Sequence, residues 1–132
     1  MVLHSLEFIS SSSTKMHNYM VRAPDHTNEG TLARRMTVQP KHVLVAITLE
    51  VKVAGGLLKP ESQDAEPQDR KFAGSALINE AESSKDVRGI VKADLYWREG
   101  VWDKEKLVIL PIVMASILQE RAGITQPTKD EA

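Results

Sequence analysis

The sequence predicts an α+β fold: an N-terminal β-hairpin, an antiparallel β-sheet, and a C-terminal helix packing on one sheet face and across a dimer partner. Three observations point there. Residues 43–53 place Val43, Val45, Ile47, Leu49, Val51 and Val53 on one parity, and His42, Leu44, Ala46, Thr48, Glu50 and Lys52 on the other. Period two in β-branched residues is the mark of a strand with one buried face. Residues 87–98 alternate in the same way, with Val87, Gly89, Val91, Ala93, Leu95 and Trp97 against the mostly polar Arg88, Ile90, Lys92, Asp94, Tyr96 and Arg98. The last third changes period and runs nearly continuously apolar from Leu107 to Leu118.

The elements follow in order. Residues 2–10 and 15–22 read as a hairpin joined by Ser11, Ser12, Ser13 and Thr14, exposed or at an edge because its alternation is weak. Pro24, Asp25, Asn28 and Gly30 form a polar connection. Residues 31–39 give a strand ended by Pro40, which cannot donate to a ladder. The strand of residues 43–53 comes next, and residues 55–69 are a long loop. A strand over 71–79 follows, then a polar loop over 80–86 and the strand of residues 87–98. Asp103 can cap a helix that begins at Lys104 and stops near Gly123. Pro111 would kink that helix, a buried strand over 106–114 being the alternative. The whole is one domain over 1–132, with the hairpin in 1–23, the sheet in 31–98 and the helix in 103–122.

Composition excludes several classes. The chain of 132 residues has no Cys, so disulfides, thiolate metal sites and Cys nucleophiles are absent. Its net charge of −1 advertises no strongly charged partner. The N-terminus lacks the basic start and long apolar run of a signal peptide, and residues 107–115 fall short of the roughly 20 that span a membrane. A soluble chain without membrane contact is expected.

No catalytic constellation is visible. There is no phosphate-cradling glycine loop, and His4, His17, His26 and His42 lack ligand-like spacing. His42, on the polar side of its strand, reads as a solvent-facing imidazole. Asp25 and His26 read as turn formers. The expectation is a protein that is not an enzyme, with no cofactor, no metal and no small-molecule substrate.

Two surfaces remain. In the last helix only Ser116 is polar in the middle three turns, so one sheet cannot cover it. A homodimer contact through Ile109, Val113 and Ile117 is the economical solution, cover by the N-terminal hairpin being the alternative. The uncovered sheet face would carry Thr48, Lys52, Lys71, Ser75, Arg88, Lys92, Asp94 and Tyr96. Lys and Arg neutralise phosphates and Tyr stacks on unpaired bases; a plain solvated face is the simpler alternative.

The order of elements, Met20-Val-Arg-Ala-Pro24 with Asn28-Glu-Gly30, and the run from Arg88 through Trp102-Asp-Lys-Glu-Lys106 to Glu120 resemble the coat proteins of single-stranded RNA bacteriophages. The resemblance implies a capsid protein: a homodimer that assembles into an icosahedral shell and packages single-stranded RNA on its inner sheet face, near Lys92 and Asp94. It implies location in the virion, and in the host cytoplasm during assembly. The rival readings are a small cytosolic α+β protein-binding domain and a small enzyme with a pocket between helix and sheet.

Overall fold

A computed structural model describes residues 15–48 and 51–115. The elements are β1 (His17–Pro24), α1 (Thr31–Thr48), β2 (Val53–Leu58), β3 (Phe72–Ala81), α2 (Ser84–Ala93), the single-turn α3 (Leu95–Arg98) and β4 (Val108–Pro111). They form a four-stranded antiparallel sheet in the order β2-β3-β1-β4, with helices. The α+β class is as the sequence predicts. The order β-α-β-β-α-β is that of a split β-α-β fold, in which β3 lies between β1 and β2.

One face of the sheet makes the core. Tyr19, Val21 and Ala23 of β1 stand in register with Asn79, Leu77 and Ser75 of β3, all buried. Against them pack Val38 of α1, Val87 and Val91 of α2, Tyr96, Val101 and Trp102, with Ile109 of β4 at the margin. Trp102 and Val21 are fully buried.

Several elements differ from the reading of periodicity. Residues 31–48 are one helix, where two strands were expected. Its buried positions are Thr31, Arg35, Val38, His42 and Ala46, at helical spacing. Val43 and Leu44, adjacent in sequence, are both exposed, Leu44 at 66%. The β-branched alternation of 43–53 is thus a weak local preference overruled by tertiary contacts made every three or four residues. Pro40 sits inside α1 on its exposed side, where water can serve the carbonyl that Pro leaves unpaired.

The expected strand over 87–98 is α2 and α3. Ser83 caps α2 by accepting from the Asp86 N–H at 3.2 Å, and Val87 and Val91 fall on one face four residues apart. Asp94 then caps α3 by accepting from the Tyr96 N–H at 2.8 Å. Two side-chain caps within twelve residues break what reads as a continuous strand.

The expected strand over 71–79 is present as β3. β1 occupies the second half of the expected hairpin, but it lies in the middle of the sheet and pairs with β3 and β4; residues 1–14 lie outside the described residues. The long loop contains β2 and two short 3-10 turns, Pro60–Ser62 and Pro67–Asp69.

The expected C-terminal helix is also corrected. Asp103 caps only a 3-10 turn, Lys104–Lys106, and residues 108–111 are the edge strand β4. Pro111 ends that edge strand opposite Tyr19, a place where a missing N–H is tolerated. Ile109 packs against its own protomer's core, Val113 is 89% exposed, and Ile117 lies outside the described residues.

Candidate active site

Helix α1 aims Arg35, Gln39 and His42 toward a cavity of about 180 Å³. The spacing of these residues puts them on one face of the helix. The opposite wall is Ala54, Gly55 and Gly56 of β2, and the floor includes Phe72, Ser75, Leu77 and Tyr96. Drug-sized pockets start at roughly 300 Å³, so this cavity suits a ligand the size of one ring. A larger recess of about 270 Å³ is lined by Asp25, His26, Lys59 and Lys106, and its Asp25 is already paired with Arg35.

Two buried acid–base pairs anchor the site. His42 Nε2–H donates to Asp94 Oδ2 at 3.0 Å, with both side chains almost wholly buried. A carboxylate only accepts, so this contact places a proton on Nε2. Asp94 is itself fixed by the Tyr96 N–H on its other oxygen. Arg35 donates from Nε to Asp25 Oδ2 at 2.8 Å and from Nη2 to Asp25 Oδ1 at 3.1 Å. Arg35 Nη2 also reaches Ser75 Oγ at 2.6 Å, and Ser75 Oγ accepts from Trp102 Nε1 at 3.1 Å.

The aromatic rings tie the pairs together. The His42 and Tyr96 rings stack at 3.8 Å with an angle of 9°. The Arg35 guanidinium lies 4.4 Å from the Tyr96 ring and 4.8 Å from the Phe72 ring. Burial pushes the Tyr96 phenol above its ordinary 10.0; the Arg35 guanidinium opposes that rise, and Asp94 and Asp25 add to it. Tyr96 is therefore a neutral phenol at physiological pH. Among the described residues no group of three or more His, Asp or Glu is placed to hold a metal, and no helix is long and apolar enough to cross a membrane.

The residues assigned to an RNA-facing strand face separate. Ser75 and Tyr96 are buried and line the cavity, and the buried Asp94 reaches it only through its bond to His42. Lys71, Arg88 and Lys92 are exposed, Lys52 is half-buried, and Thr48 is the last residue of α1. The single face expected for them does not form, because residues 84–98 are helical. Asp25, read as a turn former, and Arg35 and His42 are the groups that periodicity missed. The available signal was the helical spacing of Arg35, Gln39 and His42, hidden by the alternation beside it and by Pro40.

No family model matches the chain. Over 103 residues, 75% of the chain, it is 33% identical to fusaric acid biosynthesis protein 2 of Gibberella fujikuroi and covers 95% of that protein. The protein of the same name from Gibberella moniliformis is 31% identical over the same shares of both chains. Aspartate kinase FUB3 of Fusarium oxysporum f. sp. lycopersici is 31% identical over 115 residues, 83% of this chain; the chain spans only 20% of that kinase's length. Among solved structures, 5-chloro-2-hydroxyhydroquinone dehydrochlorinase (TftG) of Burkholderia phenoliruptrix, complexed with 2,5-dihydroxybenzoquinone, has the same fold. The TM-score is 0.61 and the identity 22%, over 74% of this chain and 95% of that one.

These likenesses overturn the phage coat-protein reading, with its shell, packaged RNA and virion location. They overturn the expectation of a non-enzyme as well, since the structural neighbour is a dehydrochlorinase and the relatives are biosynthesis proteins. The chain belongs to the family of fusaric acid biosynthesis protein 2.

Proposed function

We propose that the protein is a small acid–base enzyme that moves a proton on a compact, ring-sized molecule held between α1, β2 and Tyr96. The observation that carries this reading is the buried His42–Asp94 pair opening on a cavity, with one ring nitrogen committed at 3.0 Å and the other left over. In this reading Asp94 holds the imidazole in one tautomer and faces the imidazolium that forms. His42 Nδ1 takes the proton and later returns it, and no redox partner is needed. The fold-level likeness to a dehydrochlorinase bound to a dihydroxybenzoquinone supports a hydroxylated ring as the first substrate to try.

The test is hydrogen–deuterium exchange at the ring C–H of 2,5-dihydroxybenzoquinone in D2O, followed by NMR; the His42 imidazolium delivers a deuteron to the ring carbon of the hydroxyquinone anion, and the imidazole then removes the original proton from that carbon. The native chain is expected to accelerate exchange, and His42→Gln to lose about 10²–10⁴-fold of that acceleration, the range for a general base. Equal rates with and without His42 would remove it from the chemistry.

We propose further that the chain pairs with a second copy through the sheet face opposite the helices. Val53, Ile78, Met20 and Leu110 are aligned in register across all four strands, on the side away from the core. Among the described residues no helix packs there. At about 4.8 Å between strands and 3.3 Å per residue, the four strands present a face of a few hundred Å², as large as the largest apolar patches of typical monomers. Sedimentation should find a dimer that Ile78→Glu dissociates; a monomeric native chain refutes the pairing.

A further inference from the structure

We propose that Arg35 is the oxyanion-binding group of this cavity. We further propose that the ligand is a flat, conjugated carbonyl compound with an acidic hydrogen, held as its enolate. The proposal rests on the reading of His42 as the proton-transfer group and adds the second half of the chemistry: where the negative charge goes.

Arg35 is 3% exposed, and its hydrogen bonds to Asp25 and Ser75 use Nε and Nη2. None of these bonds uses Nη1, which carries two of the five guanidinium protons, and the hydrogen bond by which Arg35 lowers the Tyr96 phenol can engage only one of them. Nη1 lies 3.7 Å from where a Cβ on Gly56 would stand, so it faces the bare glycine wall of the cavity. The guanidinium is gripped in its plane by Asp25 and Ser75 and covered by the rings of Phe72 and Tyr96. A donor held this way cannot turn to follow a ligand. It is already aimed, which is the condition for stabilising charge that appears during a reaction.

Local charge narrows the ligand class. Asp25 neutralises the guanidinium in a bidentate contact, so the cavity exerts little long-range pull on anions in general. What Nη1 offers is short-range and directional, and it suits an oxygen that gains charge once the ligand is seated. Arg35 and His42 also lie over the same Tyr96 ring, at 4.4 Å and 3.8 Å. A ligand that meets both must carry charge through a conjugated frame, from the atom that loses the proton to the oxygen that accepts the charge. In the step itself, His42 Nδ1 accepts a proton from a saturated carbon next to the conjugated carbonyl, and the C–H electron pair enters the conjugated frame. The carbonyl π pair then settles on oxygen, to which Arg35 Nη1–H donates. Return of the proton closes the cycle without oxidant or co-reactant.

The test uses the full chain labelled with 15N-arginine and two probes, 2,5-dihydroxybenzoquinone, which carries acidic hydroxyls, and 2,5-dimethoxybenzoquinone, which has none. The dihydroxy probe should bind about tenfold tighter than the dimethoxy probe, as expected for a hydrogen bond to a charged group. Its binding should shift the Arg35 Nη1 protons and slow their exchange. Arg35→Lys, which keeps the charge and removes the fork, should erase the preference, whereas His42→Gln should keep it. If Arg35→Lys does not fold, the Nη1 signals of the native chain decide alone. Unmoved Nη1 signals, or equal affinity for the two probes, overturn the assignment. Loss of the exchange reaction in His42→Gln with unmoved Nη1 signals sinks this inference and leaves the acid–base reading intact. Shifted Nη1 signals with His42→Gln fully active do the reverse.

Discussion

The two buried pairs on α1 are built from similar parts and do opposite things. Arg35 and Asp25 share two hydrogen bonds, Ser75 takes a third, and two rings cover the guanidinium. Three of the five guanidinium protons are spent on holding α1 to Asp25 and to β3. His42 and Asp94 share one bond, in which the other ring nitrogen takes no part. The difference teaches where to look for chemistry in a small domain. A saturated pair is a lock, whereas a pair with one idle atom beside a cavity is a tool. Arg35 belongs mostly to the first kind, with Nη1 as its one idle corner.

Substitutions break the comparison with effects of graded size. Arg35→Met strands Asp25 in the interior without a partner and should cost about 3–5 kcal/mol, read by urea denaturation. Adding Asp25→Leu should recover much of that loss, because the uncompensated charge goes with it; no recovery would mean that packing against Phe72 and Tyr96 matters more than the ion pair. Gly56→Ala comes next. A Cβ there would stand 2.6 Å from the Phe72 ring, so the ring must shift from its place against Arg35 at the edge of the cavity. A stability loss of about 1–3 kcal/mol is expected from such overpacking, together with weaker binding of any ring-sized probe. Unchanged binding would place the ligand elsewhere.

His42→Gln should cost only about 1 kcal/mol, the scale of one net hydrogen bond, since Asp94 keeps its contact with the Tyr96 N–H. A loss as large as that of Arg35→Met would make both pairs structural locks. The smallest effect is a pH dependence. Tyr96 is raised above 10.0 in the folded state, so between that value and its folded value the unfolded chain has released a proton that the folded chain retains. Stability should be fully present below about pH 10 and fall as pH rises through this window. Tyr96→Phe should abolish the fall, as read by denaturation at pH 9 and 11.

The fold was partly legible in the residues themselves. β3 shows its alternation from Phe72 to Ala81 because both its neighbours are strands and one face is buried. The caps at Ser83, Asp94 and Asp103 involve only near neighbours in sequence, yet two of them sat inside or beside segments whose alternation argued for strand. Residues 43–48 mislead for a definite reason: Val43 and Leu44 are exposed on a helix whose core face is Arg35, Val38, His42 and Ala46. Polar residues such as Arg35 and His42 do not register as core in a hydrophobicity pattern, so the true period was invisible.

What the sequence alone determined was the α+β class, the presence of the strand β3 though not its last two residues, and the absence of thiol chemistry; Ser75, Asp94 and Tyr96 were picked out only as members of an RNA-facing strand face. Only the tertiary structure decided their purpose. His42 meets Asp94 across 52 positions and Arg35 meets Ser75 across 40. No local rule ties such distant residues together; they are joined because the helices stack on one side of a sheet whose strand order interleaves the two halves of the chain. Burial then changes what each group does, since a carboxylate and an imidazole shut away from water must satisfy one another, and the atom left over becomes available for chemistry.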